Sequence, residues 1–414
     1  MMDGPGSRES IIKTQASLCP DVDEEVVQDF VSRMDPEYFE RFQPDTIAHH
    51  IQLAGRLTPD HPCELSVVDK QAGRSEISIV AYDYFSEFAA ICGVLSAFGL
   101  NIEEGRIYTF LEATPPSLSA GRLKGRPGLS RKKIVDVFLV HPLDRTGFPT
   151  PQHHALRQTV SEIVQLLDAG QFDEARQYVN RRLVERLDKQ RSAFTGLLDT
   201  VQITFDNSQS STDTIMDIQS DDTPAFLYAL ANALAMRNIY ITKAQIECDG
   251  TKLHDRFLVR NRDGQKLLDP ADQQQLRLTA VLIKQFTHAL TWASDPAKAL
   301  ASFDQFLDLI VKDQGKKGKS QALDFVSDKK TFPLLAQLLG ASDFLWEDFL
   351  RRQHDNLLPL LTEYRDALLI KPQATLRKEL GHLVRRAKTD DARKDALNRF
   401  KDREMFRIDI KHIV

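Results

Sequence analysis

Cys63-Glu-Leu-Ser-Val-Val68, Glu76-Ile-Ser-Ile-Val-Ala81 and Asp136-Val-Phe-Leu-Val140 decide the reading of this chain, because the chain writes the same series twice. The second copy is Val201-Gln-Ile-Thr-Phe205, Thr214-Ile-Met-Asp-Ile218 and Asp255-Arg-Phe-Leu-Val259. Ile79 answers to Ile218, Leu95 to Leu234 and Ile102 to Ile241 at a spacing of 139 residues, which falls to 119 at Asp136 and Asp255. The difference of 20 residues is an insertion in the first copy, over 113–131, rich in proline and glycine. Self-similarity at this length means one structural unit used twice.

Within each copy the periodicity is explicit. Leu65, Val67, Ile77 and Ile79 alternate with polar residues as half-buried strands do, and Gly73 between them predicts a hairpin. Phe88, Ile91, Leu95 and Phe98 fall on one helical face, and Gly99 suits the end of that helix. The second copy predicts strands over 201–205, 213–219, 239–247 and 251–260, with a helix over 225–236 and an Asp249-Gly250 hairpin. Each copy thus reads strand, strand, helix, strand, strand, helix. The fold class predicted is α+β: two ferredoxin-like modules of four antiparallel strands with two helices on one face. No strand follows the second helix of either copy, so the extra leading strand is expected in the slot of the usual last one. The Phe-Leu-Val strands, the most continuously apolar, are expected to be central.

The rest of the chain frames the two modules. A flexible tail is expected over 1–22 and a helical segment over 23–62, with Pro44 opening its second half. The modules take 63–170 and 200–312, joined by a charged helical connector over 171–199. A Gly/Lys/Ser-rich linker over 313–331 leads to an all-helical region over 332–414.

Composition excludes several function classes. A chain of 414 residues exceeds one core, so two to four domains are expected. A net charge of −5 argues against general nucleic-acid binding. No apolar run reaches membrane-spanning length, and the N-terminus lacks the pattern of an export signal. The cysteines Cys19, Cys63, Cys92 and Cys248 form neither a CxxC pair nor a zinc spacing, which fits a cytoplasmic protein.

The pattern of a strand, an Asp-containing turn (Asp83-Tyr-Phe85; Asp221-Asp-Thr-Pro224), an apolar helix, Gly-Leu-Asn-Ile102 or Arg-Asn-Ile-Tyr-Ile241, and a strand with Asp-x-Phe-x-Val resembles ACT domains. It most resembles the tandem ACT pair of PII uridylyltransferase/uridylyl-removing enzymes. In that family the first turn reads roughly Asp-Arg-Pro-Gly. Asp222 and Pro224 match it, Ala225 stands where Gly is usual, and Tyr84 and Phe85 depart from it. A second stretch, Leu334-Leu-Ala-Gln-Leu-Leu-Gly-Ala-Ser-Asp-Phe-Leu345 with Leu397-Asn-Arg-Phe-Lys-Asp-Arg-Glu-Met-Phe-Arg-Ile408, is similar to the N-terminal helical part of glutamine synthetase adenylyltransferase. There such a helix leads into a nucleotidyltransferase core, expected here only beyond Val414.

The resemblance implies a regulatory region that senses an amino acid such as glutamine and is associated with adenylyl transfer to glutamine synthetase in nitrogen metabolism. The alternative is a non-catalytic scaffold whose ACT sheets mediate assembly, including homo-oligomers. Candidate ligand residues are Asp221, Asp222, Thr223, Pro224 and Asn238 in the second copy, and Asp83, Tyr84, Phe85 and Asn101 in the first, with the second copy favoured. A strand end, a short turn and a helix N-terminus present N–H groups to a carboxylate, and a nearby aspartate can hold an ammonium. The bland reading is that Asp83 and Asp222 cap their helices. Arg399, Arg403 and Arg407 are candidates for docking a partner such as glutamine synthetase or a separate nucleotidyltransferase domain. No cofactor is expected in this chain; ATP and Mg²⁺ belong to the absent catalytic domain.

Catalytic motifs do not compete with this reading. Gly6-Ser7 with Asp21-Val-Asp23 has the rough spacing of a nucleotidyltransferase site but lacks flanking strands. His254-Asp255 falls in a strand rather than the helix a phosphohydrolase needs. The doublets His49-His50 and His153-His154 point their rings apart on a helix and read as surface and packing residues.

Overall fold

The computed structural model describes residues 8–111, 131–143, 147–187, 201–221, 225–249, 252–296, 298–303, 306–307, 331–341 and 371–413. The expected insertion (to residue 130), the linker over 313–330 and residues 342–370 of the region expected to be all-helical lie outside them. The chain divides into two compact units, 1–186 with 198–277 and 187–197 with 278–414.

The first unit is built on one antiparallel sheet of order β1-β2-β4-β3-β7-β8-β6-β5. The first module gives β1 (Cys63–Asp69), β2 (Ser75–Tyr82), β3 (Leu100–Thr109) and β4 (Lys133–Pro142). The second gives β5 (Gln202–Asp206), β6 (Thr214–Asp221), β7 (Tyr240–Asp249) and β8 (Lys252–Arg260). The leading strands β1 and β5 take the slots beside β2 and β6, and the Phe-Leu-Val strands β4 and β8 lie inside each half. The repeat extends to irregularities. A bulge shifts the register between Ile102 and Glu104 and again, 139 residues on, between Ile241 and Lys243.

The halves join through β3 and β7, where Arg106 lies opposite Gln245, its own counterpart in the repeat. The junction is therefore self-complementary about that pair, as in a two-fold dimer, but within one chain. Gly105 permits the close approach: a Cβ there would lie 2.8 Å from the Ile246 side chain and 3.3 Å from Phe138.

Helices α1 (Arg8–Leu18), α2 (Glu24–Arg33), α3 (Pro36–Arg41) and α4 (Pro44–Arg56) precede the sheet. They correct two expectations. The tail expected over 1–22 is helical from Arg8, with Gln15 and Cys19 buried. Its apolar residues are too few to show a face in the sequence, and Ile11 and Ile12 pack against a core formed by other helices. The first module also has helices on both faces of its sheet. Phe30, Tyr38 and Ile51 share a core with Val80, Tyr82, Tyr108, Val135 and Val137 from the strands and with Phe110 just past β3. Edge-to-face pairs tie the layers, Phe30 with Phe110 at 5.3 Å and Tyr38 with Tyr108 at 5.2 Å. His50 sits in this core between the Tyr38 hydroxyl (2.6 Å) and Ser78 (3.0 Å). Burial, then His49, pushes its imidazole down to about 3, so it is a neutral packing residue.

On the other face lie α5 (Glu87–Ala97), α6 (Thr150–Asp168), α7 (Phe172–Leu187) and α8 (Phe226–Met236). A Cβ on Gly93 of α5 would lie 2.7 Å from the Tyr228 ring of α8 and would also meet Val179 of α7, so these helices touch through a bare backbone. Arg157 of α6 donates to the Leu65 carbonyl of β1 at 2.9 Å. Arg277 repeats this on β5, donating to Ile203 at 3.1 Å from helix α9 (Pro270–Ala289). The first unit ends inside α9 at Arg277, whereas the sequence places the end of the second module at 312. A 20-residue helix outlasts the strand it serves, and its later turns join the second unit.

In the second unit Phe286 stacks on Phe303 at 3.7 Å, and Ser294 bonds the Gly340 carbonyl of α10 (Thr331–Ala341) at 3.0 Å. Helices α11 (Gln373–Arg386) and α12 (Asp390–Ile413) follow.

Candidate functional site

The two β-α turns are built alike. After β2 the chain turns through Asp83-Tyr84-Phe85, and Ser86 at the start of α5 takes φ +67°. Ala225, its counterpart at the start of α8, takes φ +59°. Left-handed backbone favours glycine, which gives a physical reason for a glycine at this turn position. The same holds where the helices end: Gly99 has φ +71° and its counterpart Asn238 has φ +54°.

The N-cap residues themselves, Ser86 of α5 and Ala225 of α8, form no side-chain cap hydrogen bond. At α5 the first-turn residue Glu87 accepts from the Tyr84 backbone N–H at 3.2 Å instead.

Beside the first turn lies a cavity of about 210 Å³. One wall is Asp83, Tyr84, Phe85, Ser86 and Glu87 with Asp136 of β4, and the other is Ala231, Ala235, Ile239, Tyr240 and Ile241 of the second module. The site therefore lies between the modules and exists because β3 pairs with β7. Phe85 closes part of it, its ring 5.2 Å from Tyr240 and 5.8 Å from Phe172. Tyr84 is anchored outward: its hydroxyl donates to Asp168 at 2.7 Å and accepts from Arg131 at 2.9 Å. Arg131 also pairs with Asp168 at 3.0 Å and stacks over Tyr82 at 4.2 Å. Asp168 falls below its usual range, through the Tyr84 bond and then Arg131.

The polar floor of the cavity is acidic. Asp136 is 1% exposed, and neither of its oxygens has a hydrogen-bond partner. Glu87 is 3% exposed and one of its oxygens is unpartnered. Burial first, then the charge of Asp83, pushes the Asp136 carboxyl well above the usual range. Burial, Asp136 and Asp83 do the same to Glu87, against the downward pull of the Tyr84 N–H. Among the described residues no group of three or more His, Cys, Asp or Glu is arranged for a metal ion.

The structure gathers some of the residues expected at a ligand site and scatters others. Asp83, Tyr84 and Phe85 line the cavity. Asp222, Thr223 and Pro224 lie outside the described residues. Asp221 ends β6 in an ion pair with Lys252 at 2.7 Å. Asn101 is a strand residue opposite His141, and Asn238 is the left-handed residue that ends α8. Glu87 and Asp136 are the residues the sequence reading missed. Asp136 was visible as a charge inside an otherwise apolar strand, in the same place as Asp255.

Of the expected docking arginines, Arg399 is exposed. Arg403 lies 3.4 Å from Glu379 and 3.3 Å from Glu404, joining α12 to α11. Arg407 is buried, 3.8 Å from Glu404. Arg403 thus ties α12 to α11, while the ion pair of Arg407 lies within α12. His254 is exposed on β8, and His153 bonds the Phe148 carbonyl at 2.7 Å.

The fold is α+β on one antiparallel sheet, with an ACT-like domain in its second module. Residues 202–292 match the family described as the ACR9-like, ACT-like domain. The chain is also 24% identical over 301 residues to the bifunctional uridylyltransferase/uridylyl-removing enzyme of Azospirillum brasilense, covering 72% of this chain and 28% of that protein. The enzyme of the same name from Caulobacter vibrioides is 26% identical over 268 residues, covering 64% and 26%. That from Ruegeria pomeroyi is 25% identical over 264 residues, covering 59% and 24%. The chain thus spans about a quarter of the length of the curated relatives it matches. No solved structure matches it. Among the described residues no helix is long and apolar enough to cross a membrane.

Proposed function

We propose that this chain is a regulatory region that binds an amino acid, with glutamine the first candidate, between its two ACT-like modules and passes the bound state to a nucleotidyl-transfer activity. The observation that carries this reading is the cavity: it is walled by both modules, so a ligand in it bears on their packing. A site whose walls belong to two packed bodies favours whichever arrangement of them binds better. The names of the relatives support uridylyl transfer and removal as the kind of activity controlled. The resemblance of residues 334–345 and 397–408 to adenylyltransferases points instead to adenylyl transfer onto glutamine synthetase. In either case the chain senses and does not catalyse, with ATP and Mg²⁺ bound by a separate domain.

Calorimetry on the full chain with glutamine and a panel of other amino acids tests the proposal. Saturable binding in the micromolar to millimolar range is expected. No heat at millimolar ligand, with an intact circular-dichroism spectrum, rejects sensing. Incubation with radiolabelled ATP or UTP and glutamine synthetase is expected to give no transfer by this chain alone. A scaffold reading is favoured by one feature: β1 and β5 end the sheet, and a terminal strand can pair with another chain. Solution mass that rises with concentration, and is indifferent to amino acids, would support it.

A further inference from the structure

The cavity carries a more specific assignment, which rests on the binding reading above and names the chemistry at one pole of the site. We infer that it takes a primary ammonium group, with Asp136 as the counter-ion and Glu87 as a second acceptor. Asp136 is 1% exposed, faces the cavity and has no hydrogen-bond partner for either oxygen. Buried polar atoms almost always have partners, and an exception needs an explanation. A ligand that donates hydrogen bonds here would supply it. Glu87 offers its free oxygen to the same space.

The charge of the donor follows from the surroundings. No lysine, arginine or histidine lines the cavity among the described residues. The titratable groups facing Asp136 are all acids: Asp83 from the turn, Glu87 and Cys92 from α5, and Cys63 from β1. Asp255 of β8 reaches the same Cys92 thiol from the second module. Such a site repels an anion and suits a cation. The carboxyls are not grouped to hold a metal ion. A primary ammonium brings three donors and one charge, enough for the Asp136 oxygens and the free Glu87 oxygen.

The proton balance is simple. In the empty cavity burial, then Asp83, favours the neutral acid form of Asp136. An R–NH₃⁺ ligand pairs with the carboxylate form, so the acid proton leaves to water as the ion pair forms. No bond of the ligand breaks. Affinity for the ammonium form then rises with pH, by up to about tenfold per unit while Asp136 stays protonated in the empty protein.

The test uses the full chain and four probes: glutamine, glutaminamide (amine without carboxylate), N-acetylglutamine (carboxylate without amine) and methylamine. Titrations run in two buffers of different ionisation enthalpy, so that the difference in heat counts protons released. Glutamine and glutaminamide are expected to bind with release of about one proton, and N-acetylglutamine not to bind. Asp136→Asn is expected to weaken glutamine about 30-fold or more and to abolish the proton release, and Glu87→Gln to weaken it less. Binding of N-acetylglutamine as well as glutamine, or glutamine binding unweakened in a folded Asp136→Asn variant, overturns the ammonium assignment and leaves the sensing proposal standing. Binding of methylamine or glutaminamide without glutamine supports the assignment and rejects glutamine sensing. If no probe binds the folded wild-type chain, both fall. The comparison of probes needs only the wild-type chain, so a variant that fails to fold does not stop the test.

Discussion

The two modules share one face of the sheet and differ on the other. On the inner face, Ile79 and Ile218, Asp136 and Asp255, Phe138 and Phe257 are matched and buried. On the outer face, Val80, Tyr82, Tyr108, Val135 and Val137 of the first module belong to the core beneath α1–α4. The matching positions in the second module are Gln219, Asp221, Glu247, His254 and Arg256. There β8 alternates exposed and buried residues, and Arg256 forms a bidentate pair with Asp217 at 2.6 and 3.0 Å. The same module thus folds with its outer face dry or wet. Its architecture is set by the inner face, the left-handed turns and the shared bulge. The outer face records only what each copy packs against.

Exchanging one outer-face pair breaks the comparison most directly. Val137→Arg would bury an unpaired charge beneath the helices and should cost about 3 kcal/mol or more in urea unfolding. The reciprocal Arg256→Val loses a half-exposed ion pair and should cost less than about 1 kcal/mol. Equal effects would show that the faces are not distinct. Next comes the contact between modules. Gly93→Ala drives a methyl into Tyr228 and Val179 and should cost about 1–3 kcal/mol, read from the thermal midpoint. The matching position in the second module already holds Asn232, so an unchanged midpoint would mean that the helices have room to spare.

A third prediction separates the cavity acids from the rest. The folded values of Asp136 and Glu87 are raised, so their contribution to stability is fully present below the unfolded values near 4 and is lost as pH rises toward the folded ones. Thermal midpoints of the ligand-free chain should therefore fall less from pH 5 to 8 in Asp136→Asn than in wild type. Parallel curves would remove Asp136 from the titration. The smallest effect concerns the turns. Ser86→Gly and Ala225→Gly each relieve a left-handed non-glycine residue and should each raise stability by up to about 1 kcal/mol. A gain in one module only would show that the turns are not equivalent.

Much of this was legible in the chain. Matching spacings in the two copies gave the repeat, and period-2 patterns gave the strands. The absence of a strand after the second helix gave the slot of β1 and β5. The continuously apolar Ile134-Val-Asp-Val-Phe-Leu-Val140 also differs visibly from the alternating Leu253-His-Asp-Arg-Phe-Leu-Val259, as strands buried on two faces differ from those buried on one. The site was half legible. Asp83, Tyr84 and Phe85 follow from the turn, but Asn101 and Asn238 were chosen by proximity in sequence and serve the strand and the helix end. The charges of Arg403 and Arg407 are legible on the last helix, but the ion pair of Arg403 with Glu379 of the neighbouring helix is not.

The sequence alone determined the local structure and its duplication, because backbone period, turn chemistry and apolar alternation act over a few residues. Only the tertiary structure decided that Arg106 meets Gln245 across the junction, that helices α1–α4 cover one module, and that Asp136 is left without a partner at a cavity shared by both. Those outcomes depend on which surfaces meet after each element has formed, and contacts between residues more than a hundred positions apart leave no period in the chain.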